Sequence, residues 1–371
     1  MIDWFMKVRY IAAGAVLCAC ASSVAYAQKP PKPDPKAEQA AAQAQQAEYA
    51  TVIRLADTAM AGQTAPSDFP IQFQNDMLRA QGGRVWVPIT LTLDPAKLPS
   101  SAMTLYMRVA PRGMTTPPPP AAPDKNDKND KNKKDAKKND KNAPPPAAAP
   151  AYPYEDIALL DLKPAAPGQP IRILRGIGVA PGSYDLYLVL HERGTPAGAT
   201  AKASVLKQPL EVPNFSGGEF TTSSVILAER VEQLASPYPP DQQSEHPYAF
   251  GQAEIVVSPE HKFKKAQELI VLVQIYNPSF GPDKKFDLSA TYTFFKQEAG
   301  GEKRFNSTEP QPLTPETMGA QFDPSGNAAI QAGQAIPLQS FPEGNYRLEI
   351  KITDKLNAKS LTQNVNFTVT P

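Results

Sequence analysis

Cysteine is almost absent from this chain. Of 371 residues only Cys18 and Cys20 are cysteines, and both lie in the N-terminal apolar stretch. A mature chain cut after Ala27 would hold no disulfide, no thiolate metal site and no Cys nucleophile, so its stability must come from packing. Histidine is scarce too. His191, His246 and His261 form no His-x-x-x-His or Glu-paired metal pattern, His191-Glu192-Arg193 lacks the second His of a zinc protease, and all three read as surface or turn residues. Charge of one sign is missing: 38 Lys and Arg face 37 Asp and Glu, a net +1, which calls for neither nucleic acid nor an anionic membrane. No Gly-x-Ser-x-Gly elbow and no phosphate-cradling Gly loop occurs. The adjacent acids Glu155-Asp156 precede a strand, where neighbours face opposite ways and do not share a substrate. The expectation is a protein that is not an enzyme, with no cofactor and no metal.

Long hydrophobic runs are also lacking. Ile11 to Val24 is too short for a stable membrane span. With Lys7 and Arg9 before it and Ala25-Tyr26-Ala27 after it, residues 1–27 read as a signal peptide, which implies a periplasmic or secreted protein. Leu17-Cys18-Ala19-Cys20 offers an alternative, a lipoprotein signal with membrane attachment through a lipidated Cys20.

Proline, by contrast, is abundant. The 41 prolines are about double the usual share of roughly 5% and favour turns, edge strands and extended linkers over helices. Residues 28–62 divide into a Pro/Lys spacer and an Ala/Gln-rich short helix, in which Val52, Ile53, Ala56 and Met60 recur at helical spacing. That narrow stripe predicts a helix docked on the next domain. Self-association through the Ala/Gln-rich half is the alternative, although it lacks coiled-coil heptads.

The rest reads as strands. A first module, 63–213, holds Arg84–Leu93 before the turn Asp94-Pro95, the strand Met103–Val109, a strand around Ile171, and Gly182-Ser183-Tyr184 leading into Asp185–Leu190. It is interrupted at 114–150, where 124–142 carries eight Lys and five Asp among Asn. A mixed-sign tract without apolar residues does not offset its ordering entropy and predicts a disordered insertion. It lacks the Gly and closing Glu of a Ca²⁺ loop. The second module, 220–371, contains Leu269–Tyr276, nearly all apolar and read as a strand buried on both faces. In its Phe341–Ile352 stretch, Tyr346, Leu348, Ile350 and Ile352 alternate with Arg347, Glu349 and Lys351, which marks one buried and one wet face.

The two modules repeat one another. Asp94-Pro95 aligns with Asn277-Pro278, Tyr106 with Tyr292, the Gly-Gln-x-Ile at Gly168 with that at Gly333, and Tyr184 with Tyr346. The fold class that follows is all-β, with two tandem immunoglobulin-like β-sandwich modules. Tyr184 and Tyr346 are tyrosine-corner candidates, whose hydroxyls return to upstream backbone. Tyr152, Tyr154, Tyr238 and Tyr248, in Pro-rich turns, are the candidate surface contacts. The sequons at Asn306 and Asn366 are read as chance matches beside a bacterial-style signal peptide.

Ser224-Val225-Ile226-Leu227-Ala228 followed by 269–277 resembles the β-domain that follows the GWxTD motif in uncharacterised exported bacterial proteins. The stretch 341–354, closing on Phe367-Thr368-Val369, looks like the ending of secreted proteins grouped with von Willebrand-A-related chains. The Gly-Trp-x-Thr-Asp motif and the Asp-x-Ser-x-Ser adhesion motif are both absent, so the resemblance supplies no active residue. The functional expectation is a non-catalytic exported interaction or scaffold protein whose partners are other exported or cell-envelope proteins. The alternatives are a carbohydrate-binding accessory module and an enzyme with a cryptic site.

Overall fold

The computed structural model describes residues 35–115, 152–196, 198–319 and 329–371. The signal peptide, most of the Pro/Lys spacer and nearly all of the 114–150 insertion lie outside the described residues. The described chain is an all-β sandwich fold with one long helix, α1 (Pro35–Met60).

Residues 72–212 supply two four-stranded sheets. Their strands are β1 (Gln72–Asn75), β2 (Leu78–Arg79), β3 (Val85–Leu93), β4 (Ala102–Pro111), β5 (Tyr154–Asp161), β6 (Ile171–Val179), β7 (Gly182–Glu192) and β8 (Ala203–Val212). One sheet places β3 between β1 and β6, and β2 also pairs with β3; the other runs β5-β4-β7-β8. Val85, Val87, Ile89 and Leu91 from the first meet Met103, Leu105, Met107, Leu186, Leu188 and Leu190 from the second in one buried cluster. Each such side chain contributes roughly 1.5–3 kcal/mol on burial, which is how a chain of this kind is held without disulfides.

Residues 221–370 supply two six-stranded sheets. Their strands are β9 (Thr221–Thr222), β10 (Ile226–Gln233), β11 (Ala249–Phe250), β12 (Ala253–Val257), β13 (Lys262–Lys264), β14 (Glu268–Tyr276), β15 (Leu288–Glu298), β16 (Gly301–Ser307), β17 (Gln311–Leu313), β18 (Ile330–Pro337), β19 (Gly344–Asp354) and β20 (Lys359–Thr370). The short helix α2 (Pro315–Met318) follows β17, capped by Thr314. The sheet orders are β11-β12-β10-β14-β18 and β13-β20-β19-β15-β16. Tyr346, Leu348, Ile350 and Ile352 of β19 all face the shared core, so the alternation in Phe341–Ile352 matches the observed faces.

The strand orders of the two sheet pairs correspond. β5-β4-β7-β8 matches β16-β15-β19-β20, and β1-β3-β6 matches β10-β14-β18. The registers correct two of the sequence alignments, however. Tyr292 pairs with Ile350 and Met107 with Leu188, and both partners lie four residues beyond the aligned tyrosines Tyr346 and Tyr184. Met107, not Tyr106, therefore stands where Tyr292 does. The one-residue slip matters because it exchanges faces: Met107 is in the sandwich core and Tyr106 points out of it. The Gly-Gln-x-Ile match fails as well. Gly168 turns at φ +77° before β6, whereas Gly333 lies inside β18 opposite Leu272.

The sheet pairs meet through outward faces. Leu78, Trp86 and Leu174 pack against Ile226, Tyr248, Val257 and Leu272. β14 is buried on its inner side, through Leu269, Val271, Val273 and Ile275, and half-buried on its outer side, where Leu272 meets the first sheet pair, so the expectation of burial on both faces holds in part. The Trp86 indole lies against Gly176, where an added Cβ would sit 2.1 Å from the ring, and its Nε1 donates to the Pro247 carbonyl. A glycine is required there because the indole occupies the space of any side chain.

Candidate functional site

The densest chemistry lies on the outer face of β5-β4-β7-β8, beneath α1. The outer faces of β4 and β7 carry Tyr106, Ala110, Tyr187 and Val189 among their polar residues, so this sheet needs a second cover. Val52, Ala56 and Met60 of α1 provide it, resting on Tyr106, Ala110, Tyr152, Tyr187 and Val189. Within this layer sits Arg108, only 2% exposed. Its guanidinium pairs with Asp57 of the helix and, at 3.2 Å, with Glu155 of β5. Its Nε donates to the Tyr106 hydroxyl at 2.6 Å, and that hydroxyl donates onward to Glu155. The cation also lies over the Tyr152 ring, 4.2 Å from its centroid. Burial opposes the charge, but the Asp57 hydrogen bond and the attraction of the surrounding groups together outweigh it and hold Arg108 above its ordinary value. Burial, reinforced by the hydrogen bond to Glu155, pushes the Tyr106 phenol up.

A second polar link joins the helix to the sheet. Glu48 of α1 lies 2.7 Å from Nδ1 of His191 on β7. Burial tends to raise Glu48, but the hydrogen bonds from the sheet, that of His191 foremost, together with the Arg193 charge hold it below its ordinary value. His191 is 9% exposed, which corrects its reading as a surface or turn residue. Its parity on β7 is that of Tyr187 and Val189, so it faces the helix. His246 is half-buried in the connector, 2.9 Å from Glu254, and His261 occupies a turn at φ +49°. Both of these agree with the turn reading.

A third constellation holds the two sheet pairs together. Asp76, 6% exposed, accepts a 2.6 Å hydrogen bond from the Tyr248 hydroxyl, with the two residues on opposite sides of the junction. Burial pushes the Asp76 carboxyl up to about 6 against the pull of Tyr248 and Ser224. Around this bond, Ser224 Oγ accepts from the Met77 amide, Tyr276 Oη from the Arg79 amide, and the Ser244 carbonyl from the Gly176 amide.

These positions revise the tyrosine assignments. Tyr152 is 5% and Tyr248 1% exposed, so neither is a surface contact. One is drawn in by the cation beside it and the other by a buried acceptor. Tyr154 is half-buried against the first core, with burial raising its phenol to about 12. Tyr238 is half-buried and stacks on His246 at 3.6 Å between centroids, while its hydroxyl donates to Glu254. Tyr184 and Tyr346 each return a hydroxyl four residues back, Tyr184 to the Ala180 carbonyl at 3.1 Å and Tyr346 to the Pro342 carbonyl at 2.6 Å. Tyr346→Phe is expected to cost about 1 kcal/mol, one intramolecular hydrogen bond, and Tyr184→Phe less because its bond is longer and more exposed. Urea unfolding of the two variants checks the order.

Sequence reasoning passed over Arg108, Asp57 and Asp76. A signal for the first was present: Tyr106 and Arg108 are two apart on a strand and therefore share a face, and Asp57 adjoins the apolar stripe of α1. The Arg108 fork is committed to two carboxylates and a phenol, which makes the cluster a lock between layers. An opening of about 400 Å³ lies elsewhere, lined by Lys163, Gln169, Arg172 and Glu229, where Arg172 is already 2.8 Å from Glu260. Among the described residues no three His, Cys, Asp or Glu come together as a metal-binding group, and no helix is long and apolar enough to cross a membrane.

No protein-family model matches the chain, and no curated protein does. The chain is similar to the crystal structure of a DUF4785 family protein from Legionella pneumophila, at 10% identity and a TM-score of 0.22. The match covers 81% of this chain and 56% of that one. The chain therefore spans little more than half the length of that protein, and a likeness this distant leaves the functional reading to the geometry.

Proposed function

We propose that this chain is an exported, non-catalytic interaction or scaffold protein, built from two copies of an immunoglobulin-like sandwich module and carrying a cleaved signal peptide. The observation that carries the reading is where the polar chemistry is used. Arg108 with Asp57 and Glu155 fixes α1 to the first sheet pair, and Asp76 with Tyr248 fixes the first pair to the second. Helix and four sheets then form one stack whose outermost sheet presents a polar face. On that face Thr291, Thr293, Lys351, Thr362 and Asn364 alternate with the core residues of β15, β19 and β20. Open sheet faces and edges of this kind suit contact with other proteins. The shared strand order of the two sheet pairs supports the duplication, and the kinship to exported GWxTD-type and von Willebrand-A-related proteins belongs to the same reading. The carbohydrate-binding alternative loses support from the burial of Tyr152 and Tyr248.

In-cell crosslinking of the tagged full chain, followed by partner identification, tests the proposal. It should capture a defined cell-envelope protein, and N-terminal sequencing of the captured chain should begin at Gln28. A chain recovered uncleaved in the cytoplasm, or one that crosslinks to nothing above a signal-less control, would defeat it.

A further inference from the structure

α1 differs from the other layers in how it is held. The two sandwich cores are built from interlocked aliphatic and aromatic side chains, whereas α1 is held along one stripe, with Val52, Ala56 and Met60 fully buried and Ile53, Leu55 and Ala59 half-buried beside them, and by two ionic links. The Tyr152 hydroxyl is buried at this contact with no hydrogen-bond partner, so the fit is incomplete. Only the half from Glu48 onward touches the sheet, and Gln39 to Ala47 are exposed. One packed stripe and two ionic links, against the full cores that hold the strands, place the helix below β4 and β7 in local stability.

The tether is also suited to release. Ala61, Gly62 and Gln63 give their amides back to the last turn of α1 itself. The chain is next held at Pro66 and Asp68, which bond to the β8 residues Val205 and Ala203. Ala61 to Thr64 are exposed, and Gly62 sits at φ +74°. α1 can therefore leave without disturbing the strip that clips the chain to β8.

The face beneath is specific. It offers the Arg108 cation in an aromatic surround, His191 two turns of helix away, and an apolar floor between them. The corresponding outward face of the second sheet pair is polar and needs no cover. A helix that matches the first face must carry one acid four residues before the Val of a Val-x-x-x-Ala-x-x-x-Met stripe and another directly after its Ala, and α1 supplies that pattern with Glu48 and Asp57. A second copy of this chain supplies it identically.

We propose that the outward face of β5-β4-β7-β8 is a helix-binding site, and that a second copy of this chain fills it by exchanging α1 about a hinge at residues 61–65. Every contact of the closed chain is then remade between chains, so the balance depends on concentration and on the hinge alone. The inference does not depend on the export or scaffold reading.

A charge-reversal complementation tests it. Asp57→Arg sets like charges against Arg108 within one chain, and Arg108→Asp sets them against Asp57. Mixed together, each helix meets an opposite charge only on the other chain. The mixture should give a heterodimer of twice the monomer mass by light scattering, while each variant alone stays monomeric. Two folded variants that remain monomeric when mixed overturn the proposal. Should either variant fail to fold, hydrogen exchange on the wild-type chain decides. Amides of 48–60 should exchange at least about 100-fold faster than those of β4 and β7, because α1 opens as its own unit. Equal protection of helix and strands overturns the proposal on that arm.

Discussion

Arg108→Ala is expected to destabilise the protein by about 3 kcal/mol, the lower end of the range for removing one partner of a buried ion pair. The lower end applies because the carboxylates left behind can rehydrate: the Asp57 and Glu155 side chains are 34% and 38% exposed, against 2% for Arg108. Three losses combine. The Tyr106 hydroxyl loses its donor and stays buried with only its bond to Glu155, Tyr152 loses the cation above its ring, and α1 loses its ionic anchor. Asp57→Ala is the informative companion. It removes the same link from the helix side, leaves the buried guanidinium with Glu155 as its one carboxylate, and should cost a similar amount, about 3 kcal/mol. Urea unfolding followed by far-UV circular dichroism gives both numbers, and limited proteolysis within 48–60 reports whether the helix has come loose. Equal, small losses in the two variants would mean that α1 is held by its apolar stripe and that the buried arginine is incidental.

That arginine also shows where the sequence is legible and where it is not. β19 announces itself because one face is wet: Arg347, Glu349 and Lys351 mark the period that Tyr346, Leu348, Ile350 and Ile352 obey. The apolar stripe of α1 is readable for the same reason. β4 and β7 are covered on both faces, so their period is hidden, and the outward set of Tyr106, Arg108, Tyr187 and Val189 merges with the inward set. The misalignment of Tyr106 with Tyr292 is a direct result, since a strand covered on both sides gives no internal check on which face a tyrosine takes. Burial of Tyr248 was hidden for a different reason. Its partner Asp76 is 172 residues away, and neither has a local pattern that points to the other. Proline-rich surroundings suggested an exposed turn, whereas Trp86 and Asp76 draw that connector into the junction.

The junction should make stability depend on pH in the direction opposite to ordinary acid denaturation. Asp76 has a carboxyl at about 6 in the folded chain, against the ordinary aspartate value of 3.8 in the unfolded one. Between those values the folded protein binds the extra proton, so stability rises as pH falls from about 6 towards 4 and is lost again as pH rises. A shift of this size corresponds to about 3 kcal/mol between the two limits, because each unit is worth about 1.4 kcal/mol. Glu48 tilts the other way: its folded value is depressed, so its contribution is present at neutral pH and disappears in acid. The wild-type curve is therefore a mixture, and a difference is required to separate them. Asp76→Asn keeps the shape and an acceptor for the Tyr248 hydroxyl while removing the titration. It should be more stable than wild type at pH 7 by up to about 3 kcal/mol, with the advantage shrinking to nearly nothing by pH 4. Urea midpoints for both chains across pH 4–8 supply the comparison. A difference that stays constant with pH would show that Asp76 is ionised in the folded junction at no cost, and that the hydroxyls of Tyr248 and Ser224 are enough to solvate a buried charge between the two sheet pairs.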